Sequence, residues 1–172
     1  MEGRDEVARF QVFGVERHGL YRDGERLRDV YTFAVRDWCN VIAVTEDDEI
    51  LLVWQWRFGT QGFSLETPGG VIDEGESFLD AARRELLEET GYEAASFEPL
   101  VTTEPNPALH GNLCHSVLAR GARRVRAPSG DPLEECEVVL VPAEHALRLV
   151  DEDHVRHALC QVGLRAFASR RR

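Results

Sequence analysis

The feature that most constrains the fold is a predicted helix whose carboxylates lie on its apolar side. Ser77, followed by Asp80, resembles a capping box and predicts the helix start, and Gly91 is placed to end it. At about 100° per residue, three carboxylates fall within about 80° of Phe78, on the stripe that also carries alanines. They are Glu85, Glu88 and Glu89. Carboxylates at these spacings repel one another, so the pattern indicates that something neutralises them.

Two partners could neutralise this acidic stripe. A hard divalent cation such as Mg²⁺ takes carboxylate oxygens, waters and substrate phosphates as ligands. The alternative is an exposed helix whose carboxylates pair with Arg83 and Arg84. The preceding Pro68-Gly69-Gly70 favours the cation, because glycine lets backbone come close to an ion or a phosphate.

The rest of the chain alternates β-rich and helical segments. Strands are predicted over 10–17, 30–35, 38–44, 49–56, 63–67, 97–103, 113–119 and 135–141. Further helices are predicted from about Pro142 and over 153–168. This order indicates an α+β or α/β/α layered domain with a mixed sheet.

Composition excludes several functions. The net charge of −11 argues against a protein that coats nucleic acid. All 20 basic residues are arginines, which excludes a phosphate-loop lysine, a Schiff-base lysine and a lysine general base. The sequence has neither a membrane-length apolar run nor an apolar export signal after Met1, so we expect a cytoplasmic protein without a membrane association.

The cysteines and histidines give no metal-binding pattern of a familiar kind. Four cysteines occur without a C-x-x-C pair, so buried reduced thiols are expected rather than disulfides or a zinc knuckle. They are Cys39, Cys114, Cys136 and Cys160. His154 and His157 form an H-x-x-H without the glutamate of H-E-x-x-H, and we expect them on a solvated helix face.

The acidic helix lies within a motif that resembles the Nudix box. Gly70-x5-Glu76-x7-Arg84-Glu85-Leu86-x-Glu88-Glu89-x-Gly91-Tyr92 fits every defined position, with Tyr92 a tolerated variant of the last apolar one. A weaker resemblance to Nudix hydrolases extends from about Phe10 to about Phe167. It implies an α/β/α sandwich with a mixed sheet, and an enzyme that cleaves a nucleoside diphosphate linked to another group.

The resemblance also implies roles for individual residues. Glu85, Glu88 and Glu89 would bind Mg²⁺ or Mn²⁺ together with the backbone carbonyl of Gly69. Arg84, assisted by Glu76, would orient these carboxylates, as outer groups do at metal sites.

Hydrolysis also needs a general base near the attacking water. In the ADP-ribose pyrophosphatase branch of the family, a glutamate on a later loop supplies it. Glu134 is the preferred candidate here and Glu135 the second. A plain acidic loop that leads into a strand is the alternative.

A second segment resembles hydrolases of ADP-ribose and nucleoside-diphosphate sugars. Trp54-Gln55-Trp56-Arg57 followed by Glu66-Thr67-Pro68-Gly69-Gly70 matches their Q-[aromatic]-R…E-x-P-[AG]-G segment. Arg57 would contact phosphate and Glu66 would hold metal, water or substrate. Trp38, Trp54 or Trp56 could stack on the base, or could simply belong to the core.

The substrate is less constrained than the chemistry. Pro107 stands roughly where ADP-ribose pyrophosphatases carry a proline, but its surroundings depart from their serine-proline-glycine pattern. Asn106, His110 and Asn112 would read a sugar or merely shape the loop. The leading hypothesis is a diphosphatase for ADP-ribose or a nucleoside-diphosphate sugar. The alternatives are pyrophosphohydrolysis of nucleoside triphosphates or RNA 5′ ends, and a regulatory module that binds nucleotides without catalysis.

The N-terminal strands exceed a minimal Nudix core. We therefore predict an N-terminal β extension over residues 1–37 and a hydrolase domain over 38–172. In the sugar-diphosphate branch a similar extension supports a homodimer, which is the expectation here.

Overall fold

The computed structural model describes residues 2–129 and 136–171. The strands are β1 (Glu2–Arg9), β2 (Gly14–Arg22), β3 (Glu25–Ala34), β4 (Trp38–Thr45), β5 (Glu49–Arg57), β6 (Gly62–Glu66), β7 (Gly69–Val71), β8 (Tyr92–Glu93), β9 (Ser96–Thr103), β10 (Cys114–Arg124) and β11 (Glu137–Pro142). The helices are α1 (Phe78–Thr90), α2 (Ala143–Asp151) and α3 (Ala158–Arg171).

Helices cover both faces of the large sheet. On one face, Ala81, Ala82 and Leu86 of α1 pack into a cluster with the apolar residues of β4, β5 and β10. On the other face, α2 and α3 pack on the same strands through a second cluster that includes Leu164 and Phe167. The α/β/α sandwich predicted from the sequence is confirmed.

The large sheet is mixed and divides where β4 and β5 separate. Its order is β11-β5-β4-β10-β8, with β4 and β10 parallel and the neighbouring pairs antiparallel. In the described part of the chain, β4 and β5 pair directly at Val44 and Ile50. Beyond that pair, β7 takes the edge of β4 and β6 takes the edge of β5. This fork, filled by the segment from β6 to β7, positions the candidate site.

The N-terminal strands form a separate antiparallel sheet of order β1-β2-β3. The backbone of Phe33 joins it to the main body by a bond from its N–H to the carbonyl of Leu109, 2.8 Å long. The predicted strand over 10–17 is wrong in its first part, because residues 10–13 connect β1 to β2. Phe10 N–H bonds to the carbonyl of Phe13 at 2.8 Å, which closes this connection as a turn.

The last helix begins later than predicted. It starts at Ala158 rather than near 153, because Asp153 has a φ of 60°, incompatible with a continuing right-handed helix. Val155 is fully buried and holds the connecting segment against the core. Within the described residues, every helix is too short or too polar to cross a membrane.

Candidate active site

A strap of two glycines passes over the acidic helix. Gly69 and Gly70 of β7 pair with Asn40 and Cys39 of β4. A Cβ on Gly69 would stand 2.1 Å from the carbonyl oxygen of Cys39, and a Cβ on Gly70 would stand 2.5 Å from Oε1 of Glu85. Only glycine fits at Gly69, where the clash is with backbone, and the Glu85 carboxylate occupies the space that a Cβ on Gly70 would need. The strap therefore lies directly against a carboxylate.

The helix α1 begins and ends as its sequence predicts. The side chain of Ser77 accepts a hydrogen bond from the N–H of Asp80 at 3.2 Å, and Gly91 ends the helix with a φ of 74°. These caps fix where the helix begins and ends. Packing of Ala82 and Leu86 in the core sets its rotation, so that Glu85 and Glu89 face the strap.

Two carboxylates of α1 are held close to the strap. Glu89 is 8% exposed, and its Oε2 accepts a hydrogen bond of 2.9 Å from the N–H of Gly69. The side chain of Glu85 is 14% exposed and lies under Gly70. Glu88 is more open, with a side chain 41% exposed.

Arg84 organises the acidic residues. Its Nη1 donates hydrogen bonds to Glu85 at 2.7 Å and to Glu88 at 3.2 Å. Its Nε and Nη2 donate to the two carboxylate oxygens of Glu76 at 3.0 and 2.9 Å. A further bond joins its Nη2 to the carbonyl of Val71. The bonds to Glu76 are the main cause that raises the pKa of Arg84, and in return they lower the pKa of Glu76.

These residues fit a hard divalent cation. The donors are oxygens on neighbouring helical turns, held beside a backbone segment without side chains, and oxygen is the donor that Mg²⁺ and Mn²⁺ prefer. Arg84 touches three carboxylates with a single positive charge, which leaves negative charge for an ion to offset. The alternative is an exposed helix whose carboxylates pair with arginines. Arg83 does form such a surface pair, but with Asp80 on the exposed side of the helix.

The opposite wall of the same cavity carries Arg57 and Glu66. The cavity has a volume of about 830 Å³, and Glu85, Glu89, Arg57, Glu66 and Trp38 all line it. Arg57 donates from Nε and Nη2 to the two oxygens of Glu66 at 3.0 and 2.7 Å. The Glu66 side chain is 2% exposed and that of Arg57 is 43% exposed. Glu66 thus anchors an arginine that faces the cavity.

The pair has a defined charge state. Burial alone would raise the pKa of Glu66, but the hydrogen bonds and the charge of Arg57 outweigh burial and lower it. Burial also opposes the charge of Arg57, and Glu66 more than compensates, so that the pKa of Arg57 is raised. Both groups are therefore charged at neutral pH.

The aromatic residues divide between the cavity and the surface. Trp38, at the start of β4, is part of the lining. Trp54 and Trp56 are exposed on β5 and lie outside the lining residues that the structure describes, and the ring of Trp56 packs edge-on against Phe63. Of the three candidates for stacking, only Trp38 has the position for it.

The loop around Pro107 has internal hydrogen bonds. Nδ2 of Asn112 donates to the carbonyl of Arg36 at 2.9 Å, and its Oδ1 meets Nδ1 of His110. The carbonyl of Asn106 accepts from two backbone N–H groups further along the loop. These contacts favour the loop-shaping alternative for Asn112 and His110.

Glu134 and Glu135, the candidates for the general base, lie outside the described residues. The described chain resumes at Cys136, and Glu137 of β11 pairs with Trp54. On the other side, Ser129 N–H bonds to the carbonyl of Glu88 at 2.8 Å. Ser129, the last described residue before these glutamates, is therefore bonded to the acidic helix itself.

Sequence reasoning missed a group of residues before and within α3. Arg156, His157 and Ala158 line the cavity opposite α1. The expectation of a solvated helix face is wrong for His157, which is half-buried and precedes the helix, while His154 is exposed. The expected free cysteines are present, and three of the four are buried. The spacing His157-x-x-Cys160 was the available signal.

The fold and the cavity together define a class of enzyme. The NUDIX domain model matches residues 36–160. The chain therefore belongs to the Nudix family and is a Nudix hydrolase, as the motif over residues 70–92 predicts.

Particular relatives narrow the comparison. The chain is similar to the ADP compounds hydrolase NudE of Escherichia coli K12, with 30% identity over 158 residues, 88% of this chain and 82% of that protein. It shares 33% identity over 119 residues with an ADP-ribose pyrophosphatase of Bacillus subtilis, 69% of this chain and 64% of the relative. A methanol dehydrogenase activator of Bacillus methanolicus is 30% identical over 116 residues, 67% of this chain and 63% of the relative. The last two matches cover less than two thirds of the relatives.

A solved structure shares the whole architecture. The crystal structure of an ADP compounds hydrolase superposes with a TM-score of 0.85 at 26% identity, over 97% of this chain and 90% of that one. The resemblance thus includes the N-terminal sheet as well as the sandwich.

Proposed function

We propose that the protein hydrolyses the diphosphate bond of ADP-ribose or a related nucleoside-diphosphate sugar, giving a nucleoside monophosphate and a sugar phosphate. One observation carries the proposal: Glu85 and Glu89 of the acidic helix and the Arg57–Glu66 pair line a single cavity of about 830 Å³. That volume is in the range that holds a small-molecule ligand. The names of the relatives, which act on ADP compounds and ADP-ribose, support the substrate class.

Glu85, Glu88, Glu89 and the carbonyl of Gly69 would hold Mg²⁺, or Mn²⁺ in its place. When bound, such an ion polarises phosphoryl oxygens and lowers the pKa of a coordinated water. Arg84 acts as a positioning residue, because it holds Glu85 and Glu88 at 2.7 and 3.2 Å. Without it, the two carboxylates would repel each other and spread.

Arg57 binds the diphosphate and Glu66 fixes its direction. The bonds to Glu66 use Nε and Nη2 of Arg57, so Nη1 can donate to a phosphate oxygen. Because the buried Glu66 already orders the long side chain of Arg57, binding of a phosphate costs less side-chain entropy. Trp38 offers an aromatic face for the base.

Glu134 accepts the proton of the attacking water, with Glu135 as the second candidate. Supporting this role, Ser129, five residues before Glu134 in the sequence, bonds through its N–H to the carbonyl of Glu88 at 2.8 Å. The oxygen of the water then forms a bond to phosphorus, and the bridging oxygen leaves with one of the two phosphates.

Product identity tests the function. Purified protein with Mg²⁺ is offered ADP-ribose, ADP-, UDP- and GDP-sugars, nucleoside triphosphates and 5′-triphosphorylated RNA, and products are read by phosphorus NMR. We expect a nucleoside monophosphate and a sugar phosphate, and loss of turnover with a chelator. Release of pyrophosphate would move the function to triphosphate or RNA hydrolysis. Tight binding of the panel without turnover would point to the regulatory module.

The N-terminal extension over 1–37 supports a homodimer in this proposal. Its strands and the connection between β1 and β2 expose a group of large apolar side chains, which a second copy would cover. They are Val7, Phe10, Val12, Tyr21, Leu27, Tyr31 and Phe33. Val12→Asp should give a monomer by light scattering, whereas Val162→Asp on α3 should not change the mass. A monomeric wild type would reject the dimer. The cytoplasmic location stays a prediction.

A further inference from the structure

A cluster of three different ligand types lies in the wall opposite α1. Oxygen, nitrogen and sulfur atoms of Glu66, His157 and Cys160 all lie within 4.8 Å of one another. Glu66 ends β6, His157 immediately precedes α3, and Cys160 is in its first turn. None of the three belongs to the Nudix box.

One edge of the cluster has the spacing that a tetrahedral ion requires. Zinc bonds of about 2.0–2.3 Å to nitrogen, oxygen and sulfur place neighbouring ligand atoms about 3.3–3.6 Å apart. Nδ1 of His157 lies 3.4 Å from Sγ of Cys160. This edge already has the length that a shared zinc ion would require.

The sulfur is surrounded as a metal-bound thiolate would be. The N–H and the Oγ1–H of Thr67 both point at Sγ of Cys160, at 3.4 and 3.3 Å. Two donors on one sulfur stabilise negative charge there more than they stabilise a neutral thiol. A buried cysteine whose role is packing does not need this arrangement.

The donor atoms set which ion can bind. Burial lowers the pKa of His157, so the imidazole is neutral and able to act as a ligand. Burial raises the pKa of Cys160 to about 11, so an ion must displace the thiol proton to solvent. Zinc and cobalt have the thiolate affinity for this exchange, whereas magnesium does not.

Arg57 limits the affinity without closing the site. Its two bonds take one direction on each oxygen of Glu66, and Ser64 bonds to the same carboxylate. Two carboxylate oxygens have four lone pairs between them, so one remains for an ion. His157 and Glu66 both line the cavity, from which an ion could reach them. A bound ion would stand beside the guanidinium that faces the cavity.

We propose that Glu66, His157 and Cys160 form a second cation site that binds Zn²⁺ in preference to Mg²⁺. An ion there competes for the carboxylate that anchors Arg57 and so inhibits the enzyme. Binding is independent of the proposed function, and only the inhibition rests on it.

Cobalt is the probe for the site. A thiolate-bound Co²⁺ gives a strong sulfur-to-metal charge-transfer absorption that an all-oxygen site cannot produce. We expect this band to saturate at one ion per chain in the presence of excess Mg²⁺, and to be removed by Zn²⁺. Cys160→Ser should abolish it, and Cys136→Ser, at a half-buried cysteine outside the cluster, should retain it. His157→Gln should weaken cobalt binding at least about tenfold.

The controls separate this site from the acidic helix. Glu89→Gln should keep the cobalt band even though we expect it to lose Mg²⁺-dependent turnover. Circular dichroism of Cys160→Ser checks its fold, and the His157 variant tests the site a second time. A band that persists in Cys160→Ser, or no band in wild type, would overturn the proposal.

Inhibition is measured separately. At saturating Mg²⁺, equimolar Zn²⁺ should inhibit the wild type and spare Cys160→Ser. Equal inhibition of both proteins would place the inhibitory ion elsewhere and would overturn the proposed inhibition. Whether the ion binds at Cys160 is decided by the cobalt spectrum.

Discussion

The two walls of the cavity are built from the sequence in different ways. The α1 wall comes from one continuous stretch, residues 69–91, in which glycines, caps and carboxylates follow at fixed spacings. The opposite wall joins Arg57 and Glu66 to Thr67 and Cys160, and the last two are 93 residues apart in the chain. The first wall can be recognised from local periodicity, whereas the second exists only after the sheet has formed. The first wall offers carboxylate oxygens, which suit hard ions. The second wall contains a positive charge, a negative charge and the soft sulfur of Cys160.

The largest effect should come from the α1 wall. Glu89→Gln or Glu85→Gln removes a proposed ion ligand, which supplies several kcal/mol in the transition state. We expect turnover to fall at least about a hundredfold, equivalent to about 2.7 kcal/mol. Steady-state kinetics measures this, with Glu98→Gln on the exposed part of β9 as the matched control. Wild-type rates in either variant would reject the metal assignment.

In the opposite wall, loss of Arg57 should affect stability as well as binding. Arg57→Met leaves the buried Glu66 carboxylate without its two hydrogen bonds, at a cost of about 1–3 kcal/mol in the free energy of unfolding. KM should rise because a phosphate contact is lost. Urea unfolding of Arg57→Met, Glu66→Gln and the double variant gives the interaction free energy between the two side chains. Additive losses would show that the pair is not an anchor.

A smaller effect tests whether the cavity lining serves a ligand. Nε2 of Gln55 is buried in the lining without a hydrogen-bond partner in the described structure, whereas Nε2 of Gln161 donates to Val155 at 2.7 Å. Gln55→Met should therefore keep or raise stability, by up to about 1 kcal/mol, and raise KM. Gln161→Met should lower stability by about 1 kcal/mol. Equal destabilisation of both would mean that Gln55 is satisfied in the free protein.

The smallest effect concerns pH. Burial lowers the pKa of His157 from 6.5; the charge of Glu66 opposes this shift and the charge of Arg57 adds to it. His157 therefore takes up a proton less readily in the folded protein than in the unfolded chain. This contribution to stability is full above pH 6.5 and is lost as the pH falls through the folded pKa. Thermal melts from pH 7.5 to 5.5 bracket about pH 6.5. The melting temperature should fall less over this range for His157→Gln than for wild type. The exposed His154→Gln should follow the wild type.

Most of the fold could be predicted because its strong signals are local. β4, β5, β6 and α1 follow from apolar runs and caps and lie where expected. β1 was missed because Glu2–Arg9 is a highly charged strand with little apolar alternation. The late start of α3 depends on Asp153 and Val155, whose positions are set by tertiary packing.

The site shows the same division. The alignment of Glu85 and Glu89 with the core face followed from helical periodicity and is what the structure shows. The position of His157 did not follow, because its burial depends on Glu66 of β6 as well as on Cys160 of its own segment. An H-x-x-C spacing has meaning only when a distant carboxylate meets it.

The fork in the sheet has a consequence for amide exchange. Beyond Val44 and Ile50, the strands β4 and β5 depend on β7 and β6 for their inner hydrogen bonds. The segment Gly62–Val71 is therefore a wedge between them, held in part by the bond from Val41 N–H to the carbonyl of Pro68 at 2.7 Å. When this segment detaches, we expect the amides of β4 and β5 that bond to it to exchange with deuterium together. The two walls of the cavity should then open together, because Glu66 of one wall and Gly69 of the other both lie in this segment.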